Sequence, residues 1–269
     1  MVIDMKFVID GKVLSEKLKA VLMKGKWNIG TEAKASSLGS AVIITVGGDG
    51  LDMDEVYLYN GNESTYVRVK LEDVEPIHQG RCCVSYDLLN KYLKAGNVVL
   101  ETLPDEGMLQ LVTTGQIIKL PLLDRHPNND QILYSKENYV VDYNVVTDVI
   151  ERNEGLDISD KTTLHSVMEI NTEDFVNAIK ACEVVGSGVY KLEYDCRMLT
   201  ISSSKNRESV KVTIGLEEHT GPLATLEFTG PLHNVLDTDS FVLAFNDDSP
   251  ISMLSSNIQI LRAPRVVEE

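Results

Sequence analysis

The sequence has no apolar run that approaches the roughly 18 residues of a membrane-spanning helix. Its first eleven residues alternate apolar and polar side chains, which is typical of a strand and not of a secretory signal peptide. Both absences indicate an intracellular protein that does not enter a membrane. Because 43% of the 269 residues are hydrophobic, the chain still has enough apolar material for two small cores.

Residues that commonly bind metals are few and dispersed. No CxxC pair occurs, and the adjacent Cys82 and Cys83 cannot easily share one zinc ion, which predicts reduced cysteines. The histidines have no metal-ligand spacing either. The other members of these two sets are Cys182, Cys196, His78, His126, His165, His219 and His233. We therefore expect neither a metal nor another cofactor.

Two polar segments are candidates for an enzyme active site. Residues 47–50 read Gly-Gly-Asp-Gly, but they lack the GxxxxGK[ST] pattern of a phosphate-binding loop and fit a turn between strands. Asp52, Asp54 and Glu55 could form a carboxylate site, although an exposed turn explains the same residues. The sequence therefore predicts a protein that is not an enzyme, with an unrelated hydrolase as the remaining enzymatic alternative.

Basic residues are outnumbered by acidic ones. The chain has 25 Lys and Arg against 41 Asp and Glu, for a formal net charge of −16. A uniformly acidic surface would disfavour nucleic acid, because lysine and arginine drive binding to phosphates. A protein can nevertheless be acidic outside and positive within one concave region. The positions of the lysines therefore decide whether DNA is a candidate ligand.

A long internal repeat is the most informative feature that the sequence does contain. Residues 116–122 read Gln-Ile-Ile-Lys-Leu-Pro-Leu, and residues 259–265 read Gln-Ile-Leu-Arg-Ala-Pro-Arg, 143 positions later. A repeat of such length indicates a duplicated domain and not a short solenoid unit. We predict a first domain over residues 1–124, an extended connector over 125–163 and a second domain over 164–269.

The first half is predicted to contain a strand, a helix and several further strands, with a second helix among them. The first helix begins after Asp10 and runs to about Lys24, because its apolar residues recur at helical spacing. A second helix is predicted over residues 86–95, with Ser85 as its cap and Leu88 in its apolar stripe.

The second half is predicted to repeat this order. Asn171 or Thr172 caps a helix whose apolar stripe includes Phe175 and Cys182. At the place of the second helix, residues 231–236 have room for barely a turn and a half. The connector between the halves is longer than connections in compact domains usually are.

Several short segments follow one another in the order of a known family. They are Ile9-Asp10-Gly11 with Val13-Leu14, Leu51-Asp52 with Val56 and Leu58, Lys91 to Asn97, Leu120 to Asp124, and Ala263-Pro264-Arg265-Val266 with Glu268-Glu269. Together they resemble the DNA sliding clamps of the proliferating cell nuclear antigen (PCNA) family, in a divergent archaeal or viral-like form. The resemblance implies an α+β fold of two duplicated DNA-clamp domains. Each would be a curved antiparallel sheet outside with helices inside, in a toroidal assembly.

The resemblance implies a homotrimeric ring that encircles double-stranded DNA without sequence specificity. Such a ring is a processivity factor in DNA replication and repair, and it acts at DNA in the cytoplasm, nucleoid or nucleus. Weak phosphate contacts suffice for a ring that slides, and lysines on the inner helices would supply them. The implied DNA-binding residues are Lys12, Lys19, Lys26, Lys91, Lys94, Asn177, Lys180, Lys205 and Arg207.

Two further surfaces are implied by the resemblance. A pocket would bind short clamp-binding peptides of DNA polymerases and other enzymes, by helix-in-groove recognition. Edge strands would join the subunits, and a clamp loader would be a further partner. The implied pocket residues are Leu51, Val56, Leu58, Pro250, Ala263, Pro264 and Val266. The implied subunit-interface residues are Leu109, Leu111, Thr113, Val210, Val212 and Ile214.

The chain departs from the family in two places. Its connector is longer, and its second half lacks room for a full second helix. These departures favour an alternative function, namely a clamp-fold adaptor that binds replication proteins without encircling DNA, or one subunit of a heteromeric ring. The oligomeric mass and the retention on circular DNA distinguish these functions.

Overall fold

The computed structural model describes residues 4–22, 41–48, 51–61, 65–124, 139–141, 162–230, 238–247 and 249–265. The described residues form two compact units, one within 4–124 and the other within 139–265. The short helical turn expected at 231–236 and most of the predicted connector lie outside the described residues. None of the described helices combines the length and the apolar character that crossing a lipid bilayer requires.

The first unit consists of strands and two helices. Its strands are β1 (Lys6–Asp10), β2 (Ala41–Gly48), β3 (Leu51–Gly61), β4 (Thr65–Leu71), β5 (Glu75–His78), β6 (Gly80–Ser85), β7 (Asn97–Leu103), β8 (Met108–Thr113) and β9 (Gln116–Pro121). Its helices are α1 (Gly11–Val21) and α2 (Tyr86–Tyr92), and Pro104–Glu106 form a single 3-10 turn. Within this unit the antiparallel sheets have the strand orders β5–β1–β7–β8–β9 and β4–β3–β2–β6.

Two copies of one motif make up this unit. The segments β1–α1–β2–β3–β4 and β6–α2–β7–β8–β9 each contain a strand, a helix and three strands. Their first strands are exchanged, because β1 pairs with β7, with Lys6 opposite Glu101, and β6 pairs with β2, with Ala41 opposite Ser85. Each sheet therefore contains strands from both copies of the motif.

The second unit has one described helix and a similar set of strands. The strands are β10 (Tyr139–Val141), β11 (Thr162–Leu164), β12 (Ser166–Asn171), β13 (Val189–Tyr194), β14 (Met198–Lys205), β15 (Glu208–Gly215), β16 (His219–Thr220), β17 (Ala224–Thr229), β18 (Ser240–Phe245), β19 (Ile251–Leu254) and β20 (Ile258–Arg262). The helix is α3 (Thr172–Glu183). Within this unit the larger sheets have the orders β16–β12–β18–β19–β20 and β15–β14–β13–β17, and β10 and β11 form a parallel pair.

The strand exchange of the first unit recurs in the second. Here β12 pairs with β18, with Ser166 opposite Phe245, and β17 pairs with β13, with Thr229 opposite Val189. The repeated sequences at 116–122 and 259–265 begin in the last strand of their units, β9 and β20. The duplication that the sequence predicts between the halves is thus accompanied by a second duplication within each half.

Apolar helix faces pack on the sheets of each unit. Leu14 and Leu18 of α1 are fully buried, as are Phe175 and Cys182 of α3. The rings of Phe175 and Phe241 meet edge to face with their centroids 5.2 Å apart. Because burying one such apolar side chain stabilises a fold by about 1.5–3 kcal/mol, these faces hold the helices against the sheets. The predicted burial of Phe175 and Cys182 is confirmed.

All four cysteines are free thiols. Cys82 lies buried in β6, and burial raises the pKa of its thiol. Burial also raises the pKa of the neighbouring Cys83 to about 11. Because the thiolate is the reactive form of cysteine, the raised pKa values lower the reactive fraction of both side chains at neutral pH.

The second helix is shorter than the sequence predicts. α2 ends at Tyr92, because Leu93 adopts extended backbone angles (φ −76°, ψ 126°). The Ser85 side chain makes no capping hydrogen bond, and Leu88 is 37% exposed. The predicted start at Tyr86, with Ser85 in the N-cap position, is confirmed. The predicted end at Ala95, a capping hydrogen bond from Ser85 and the place of Leu88 in the apolar stripe were wrong.

Candidate functional site

Helix α1 presents lysines on the side opposite to the core. Leu14, Leu18 and Val21 are buried, while Lys12 and Lys19 are exposed. The spacing of seven residues puts both lysines on one face of the helix, since an α-helix completes two turns in about that length. Glu16 is exposed between them and offsets part of their charge.

Asp10 joins the start of α1 to the turn that follows α2. Its Oδ1 accepts hydrogen bonds from Lys12 N (2.8 Å) and Val13 N (3.2 Å), and its Oδ2 accepts one from Gly96 N (2.8 Å). These hydrogen bonds lower the pKa of the Asp10 carboxyl, and the bond from Gly96 N has the largest effect. The predicted cap at Asp10 is confirmed, and it holds the backbone of Lys12 close to the turn that carries Lys94.

Gly11 allows this close approach. Gly11 N donates to Gly96 O at 2.9 Å, and a Cβ added at Gly11 would lie 2.1 Å from Lys94 O. No side chain fits in that space, since heavy atoms do not approach so closely. The two chain segments are therefore held together through backbone atoms, which leaves the exposed Lys94 side chain outside the contact.

The helices of the first unit also contact each other through a polar pair. Ser15 Oγ donates to Asn90 Oδ1 at 2.6 Å. Lys91 is exposed one position later, with its Nζ 5.3 Å from the centroid of the Tyr92 ring. We call the exposed side chains of α1, α2 and the turn after α2 the helix-pair surface. Its lysines are Lys12, Lys19, Lys91 and Lys94, whereas Lys26 lies outside the described residues.

Helix α3 of the second unit has a different charge pattern. Asn171 caps it through hydrogen bonds from Glu173 N (2.9 Å) and Asp174 N (3.2 Å) to its Oδ1. Both acidic side chains are exposed, and so is Asn177, while Lys180 is half-buried. The carboxylates favour the positive end of the helix dipole, but they oppose contact with phosphates.

The remaining predicted DNA contacts lie in and near the β14–β15 hairpin. Lys205 Nζ donates to Gly186 O at 2.9 Å, which ties the hairpin to the turn after α3. Arg207 is exposed in the hairpin turn. Two of the three basic residues predicted in this unit, Lys205 and Arg207, therefore stand apart from the helix face of α3.

The residues of the predicted peptide pocket differ in accessibility. Val56 and Leu58 are completely buried in the first unit, so their side chains are core residues and not an open pocket lining. Pro250, Ala263 and Pro264 are half-buried in the second unit. Two further members fall outside the description, the side chain of Leu51 and the whole of Val266.

One of the two strands predicted at the subunit interface is not an edge strand. β8 lies between β7 and β9, with Leu109 opposite Thr102 on one side and Leu120 on the other. Leu109 and Leu111 are fully buried, and Thr113 is half-buried. The edge strands of this sheet are β5 and β9, so the prediction was displaced by one strand.

The other predicted interface strand does lie at an edge. Among the strands that the structure describes, β14 is the one partner of β15 in the four-stranded sheet of the second unit. Val210 and Val212 are half-buried on it, and Ile214 is buried. The outer backbone groups of β15 are therefore placed where a further strand could pair.

Sequence reasoning overlooked Ile117 on the edge strand β9. Ile117 is 68% exposed, while Leu120 of the same strand is buried. Because side chains alternate between the two faces of a strand, the adjacent Ile117 and Ile118 cannot both face the core. The consecutive isoleucines after the Thr114-Gly115 turn were the signal that could have identified this exposed apolar position.

The amino-acid sequence matches no protein-family model, and no curated protein matches it. Its structure is similar to solved sliding clamps. The beta subunit of DNA polymerase III from Thermotoga maritima matches with a TM-score of 0.68 at 13% identity, over 98% of this chain and 66% of that one.

Two archaeal clamps match over their whole length. PCNA of A. fulgidus, solved with the C-terminal region of FEN-1 bound, gives a TM-score of 0.65 at 15% identity over 98% of this chain. PCNA of Thermococcus kodakaraensis gives 0.62 at 14% identity over 97%. The chain spans all of both archaeal proteins but about two thirds of the bacterial subunit. It therefore has the α+β fold of the DNA sliding clamps.

Proposed function

We propose that this protein is a sliding clamp, a non-enzymatic scaffold that encircles duplex DNA and tethers a DNA polymerase and other replication and repair enzymes. The observation that carries the proposal is the clamp architecture in both units, together with four exposed lysines on the helix-pair surface. In the proposed homotrimeric ring these helices face the channel. The acidic remainder of the chain keeps the outer surface away from DNA.

Contact with DNA would come chiefly from the helix-pair surface. Its four lysines are exposed, and a loose electrostatic contact is enough for a ring that holds DNA by enclosure. The exposed Glu173 and Asp174 weaken the case for α3. Lys205 and Arg207 would then add DNA contacts from the β14–β15 hairpin, at the rim of the proposed channel.

Assembly would join β9 of one copy to β15 of the next. Both strands are sheet edges, and edge strands present unpaired N–H and C=O groups that another chain can pair with. Ile117 supplies an apolar side chain that would become buried in such a contact. Thr113, Val210, Val212 and Ile214 remain in or beside these edges, whereas Leu109 and Leu111 support the sheet from inside.

Partner peptides would bind near the end of the second unit. The A. fulgidus clamp binds the C-terminal region of FEN-1, which shows that this fold can carry such a peptide. In this chain Pro250, Ala263 and Pro264 are half-buried, so part of each side chain remains accessible. A clamp loader would place the ring on closed DNA.

A second candidate function has one observation in its favour. The acidic exposed face at the start of α3 would be a poor lining for a channel that holds DNA. A subunit that contributes one part of a heteromeric ring, or an adaptor that binds replication proteins without encircling DNA, would not need that face to be basic.

An order-of-addition experiment tests enclosure without requiring a loader. The protein is allowed to thread onto a linear duplex with biotin at both ends, and streptavidin is then added to block the ends before a high-salt wash. In the matched control, streptavidin is added first. Retention only when the protein comes first is the expected result. Equal retention in both orders, or none in either, contradicts the proposal.

A further inference from the structure

A row of apolar side chains crosses the sheet β5–β1–β7–β8–β9 on the face that points away from the core. Val8 lies opposite Val99, and Val99 lies opposite Val112. Val112 in turn lies opposite Ile117 of the edge strand β9. Each valine follows a buried residue, and side chains alternate between the two faces of a strand. The valines are half-buried and Ile117 is 68% exposed, so the row is accessible.

The equivalent place in the second unit is buried. Val242 of β18 lies opposite Leu254 of β19, as Val99 of β7 lies opposite Val112 of β8. Val242 and Leu254 are only 1% and 6% exposed. Because the two units are duplicates, the same part of the sheet is covered in one copy of the domain and accessible in the other. An apolar patch that stays accessible in this way indicates a surface for a partner.

The dimensions of the row match two turns of a helix. Ile117 lies where the proposed joint between copies would cover it, so we define the valine row as Val8, Val99 and Val112. Neighbouring strands are about 4.8 Å apart, and the three valines therefore span about 10 Å. Two turns of an α-helix rise by about 11 Å. Apolar side chains at positions i, i+4 and i+7 of a helix would thus meet the three valines in order.

Carboxylates lie beside the valine row. Glu75 is exposed opposite Val8, and Glu101 follows Val99 by two residues on the same face of β7. A cavity of about 510 Å³ adjoins the row, because Glu101 is one of its lining residues. The other carboxylates that line this cavity are Asp4, Asp105 and Glu106. A basic side chain beside the helix contact could therefore enter an acidic cavity.

The lysines at this place do not balance the carboxylates. Lys6 Nζ lies 3.3 Å from Glu101 Oε1, and Lys119 Nζ lies 2.6 Å from Glu106 Oε2. On the side of the valine row toward the cavity, the five carboxylates named above exceed these two lysines by three negative charges. Charge complementarity therefore favours a partner whose apolar side chains are flanked by lysine or arginine.

We propose that the valine row is a docking surface for a basic amphipathic helix of a partner protein. The apolar face of the helix packs on Val8, Val99 and Val112, and its flanking basic side chains meet Glu75 and the acidic cavity. The surface uses neither the helix-pair surface nor the β9–β15 joint nor the segment that follows β20. The proposal therefore goes beyond the proposed function and applies to a single chain as well as to a ring.

The test measures the affinity of a fluorescein-labelled helical peptide of about 15 residues, with leucines on one face and lysines on the other. A peptide of the same composition, scrambled so that no apolar face forms, is the peptide control. One protein variant carries Val99→Thr with Val112→Thr, since threonine keeps the shape and the strand propensity of valine. Another carries Asp105→Asn with Glu106→Gln. Their matched controls in the second unit, also at exposed residues, are Val184→Thr and the pair Glu217→Gln with Glu218→Gln.

We expect the threonine variant to bind the amphipathic peptide about tenfold more weakly than the wild type, because the helix loses apolar contacts. The loss in the Asp105→Asn, Glu106→Gln variant should be about threefold at about 0.05 M salt and should disappear near 0.5 M, since salt screens exposed charges. Both control variants should bind like the wild type. Wild-type affinity in the threonine variant, equal losses in the controls, or equal binding of the scrambled peptide would overturn the docking surface and leave the proposed function intact.

Discussion

At the residue scale, Asp10 joins two parts of the first unit that are 86 residues apart in sequence. Its carboxylate accepts backbone hydrogen bonds from the start of α1 and from Gly96. A helix cap was predictable from the sequence, because Asp precedes a run of apolar residues at helical spacing. The bond to Gly96 was not predictable, since it depends on how the turn after α2 packs.

The acid stability of the fold should depend on Asp10. Hydrogen bonds hold the pKa of this carboxyl below its ordinary value, so the carboxylate stabilises the folded state above the unfolded pKa of about 4. That contribution is lost as the pH falls through the lowered pKa of the folded state. The variant Asp10→Asn keeps one capping oxygen but cannot accept the bond from Gly96 N.

Thermal melts between pH 3 and pH 7 check this prediction. The melting temperature of the wild type should exceed that of Asp10→Asn most at pH 7, and the difference should shrink below about pH 4. A difference that stays constant over this range would show that the carboxylate charge makes no contribution.

The lysines of the helix-pair surface should determine the salt dependence of DNA binding. The plot of log K against log salt has a negative slope, and each phosphate contact that is lost reduces the magnitude of that slope by about 0.9. We expect the combined change of Lys12, Lys19, Lys91 and Lys94 to Glu to remove most of that slope and to abolish stimulation of a DNA polymerase. The assembly should keep its mass.

A matched control uses lysines that are also exposed but lie on strands. The side chains of Lys70 and Lys191 are 37% and 40% exposed and pair with Glu55 and Glu193. Their change to Glu should leave the DNA affinity nearly unchanged. If this control and the four-lysine variant lose the same affinity, the contact is a general charge effect and not a property of the helix pair.

At the element scale, the edge strands decide how copies can join. The predicted interface residues Leu109, Leu111 and Thr113 put the edge at β8, whereas β9 is the edge strand on that side of the sheet. Strand order depends on contacts between distant residues, here the pairing of β1 with β7. The exposed Ile117 indicates the edge at the level of one side chain.

Ile117→Arg should disrupt the proposed joint between copies. A charged side chain at that position would have to be desolvated against the neighbouring strand, which is costly without a partner. We expect the mass of the assembly to fall toward that of one chain. Ile77→Arg is the matched control, because Ile77 is also exposed (43%) and lies on β5, the other edge strand of the same sheet. Unchanged mass in Ile117→Arg would place the joint elsewhere.

The packing of α3 rests on Phe175. This ring is fully buried against Phe241, so Phe175→Ala should lower the free energy of unfolding by about 3–5 kcal/mol. Val184 follows the same helix and is 83% exposed, so Val184→Ala should have little effect. Denaturant melts of the two variants check this prediction, and equal losses would contradict it.

At the scale of the whole molecule, the repeat at 116–122 and 259–265 was sufficient to predict a duplicated domain, and the resemblance to the sliding clamps implied the α+β fold. The second duplication, within each half, left no comparable signal. The copies share only an order of elements, and their first strands are exchanged between sheets. Val56 and Leu58 were predicted to line a pocket but are buried in the core. The alternation of apolar residues along a strand does not reveal whether other parts of the fold cover each face of the sheet.

The size of the assembly tests the central claim most directly. Light scattering across a dilution series measures the mass in solution without a partner or a loader. A stable mass near that of three chains of 29.8 kDa is the predicted result, since the proposed ring closes through three β9–β15 joints. A mass of one chain at every concentration would contradict a self-closing ring and would favour the adaptor or the heteromeric subunit.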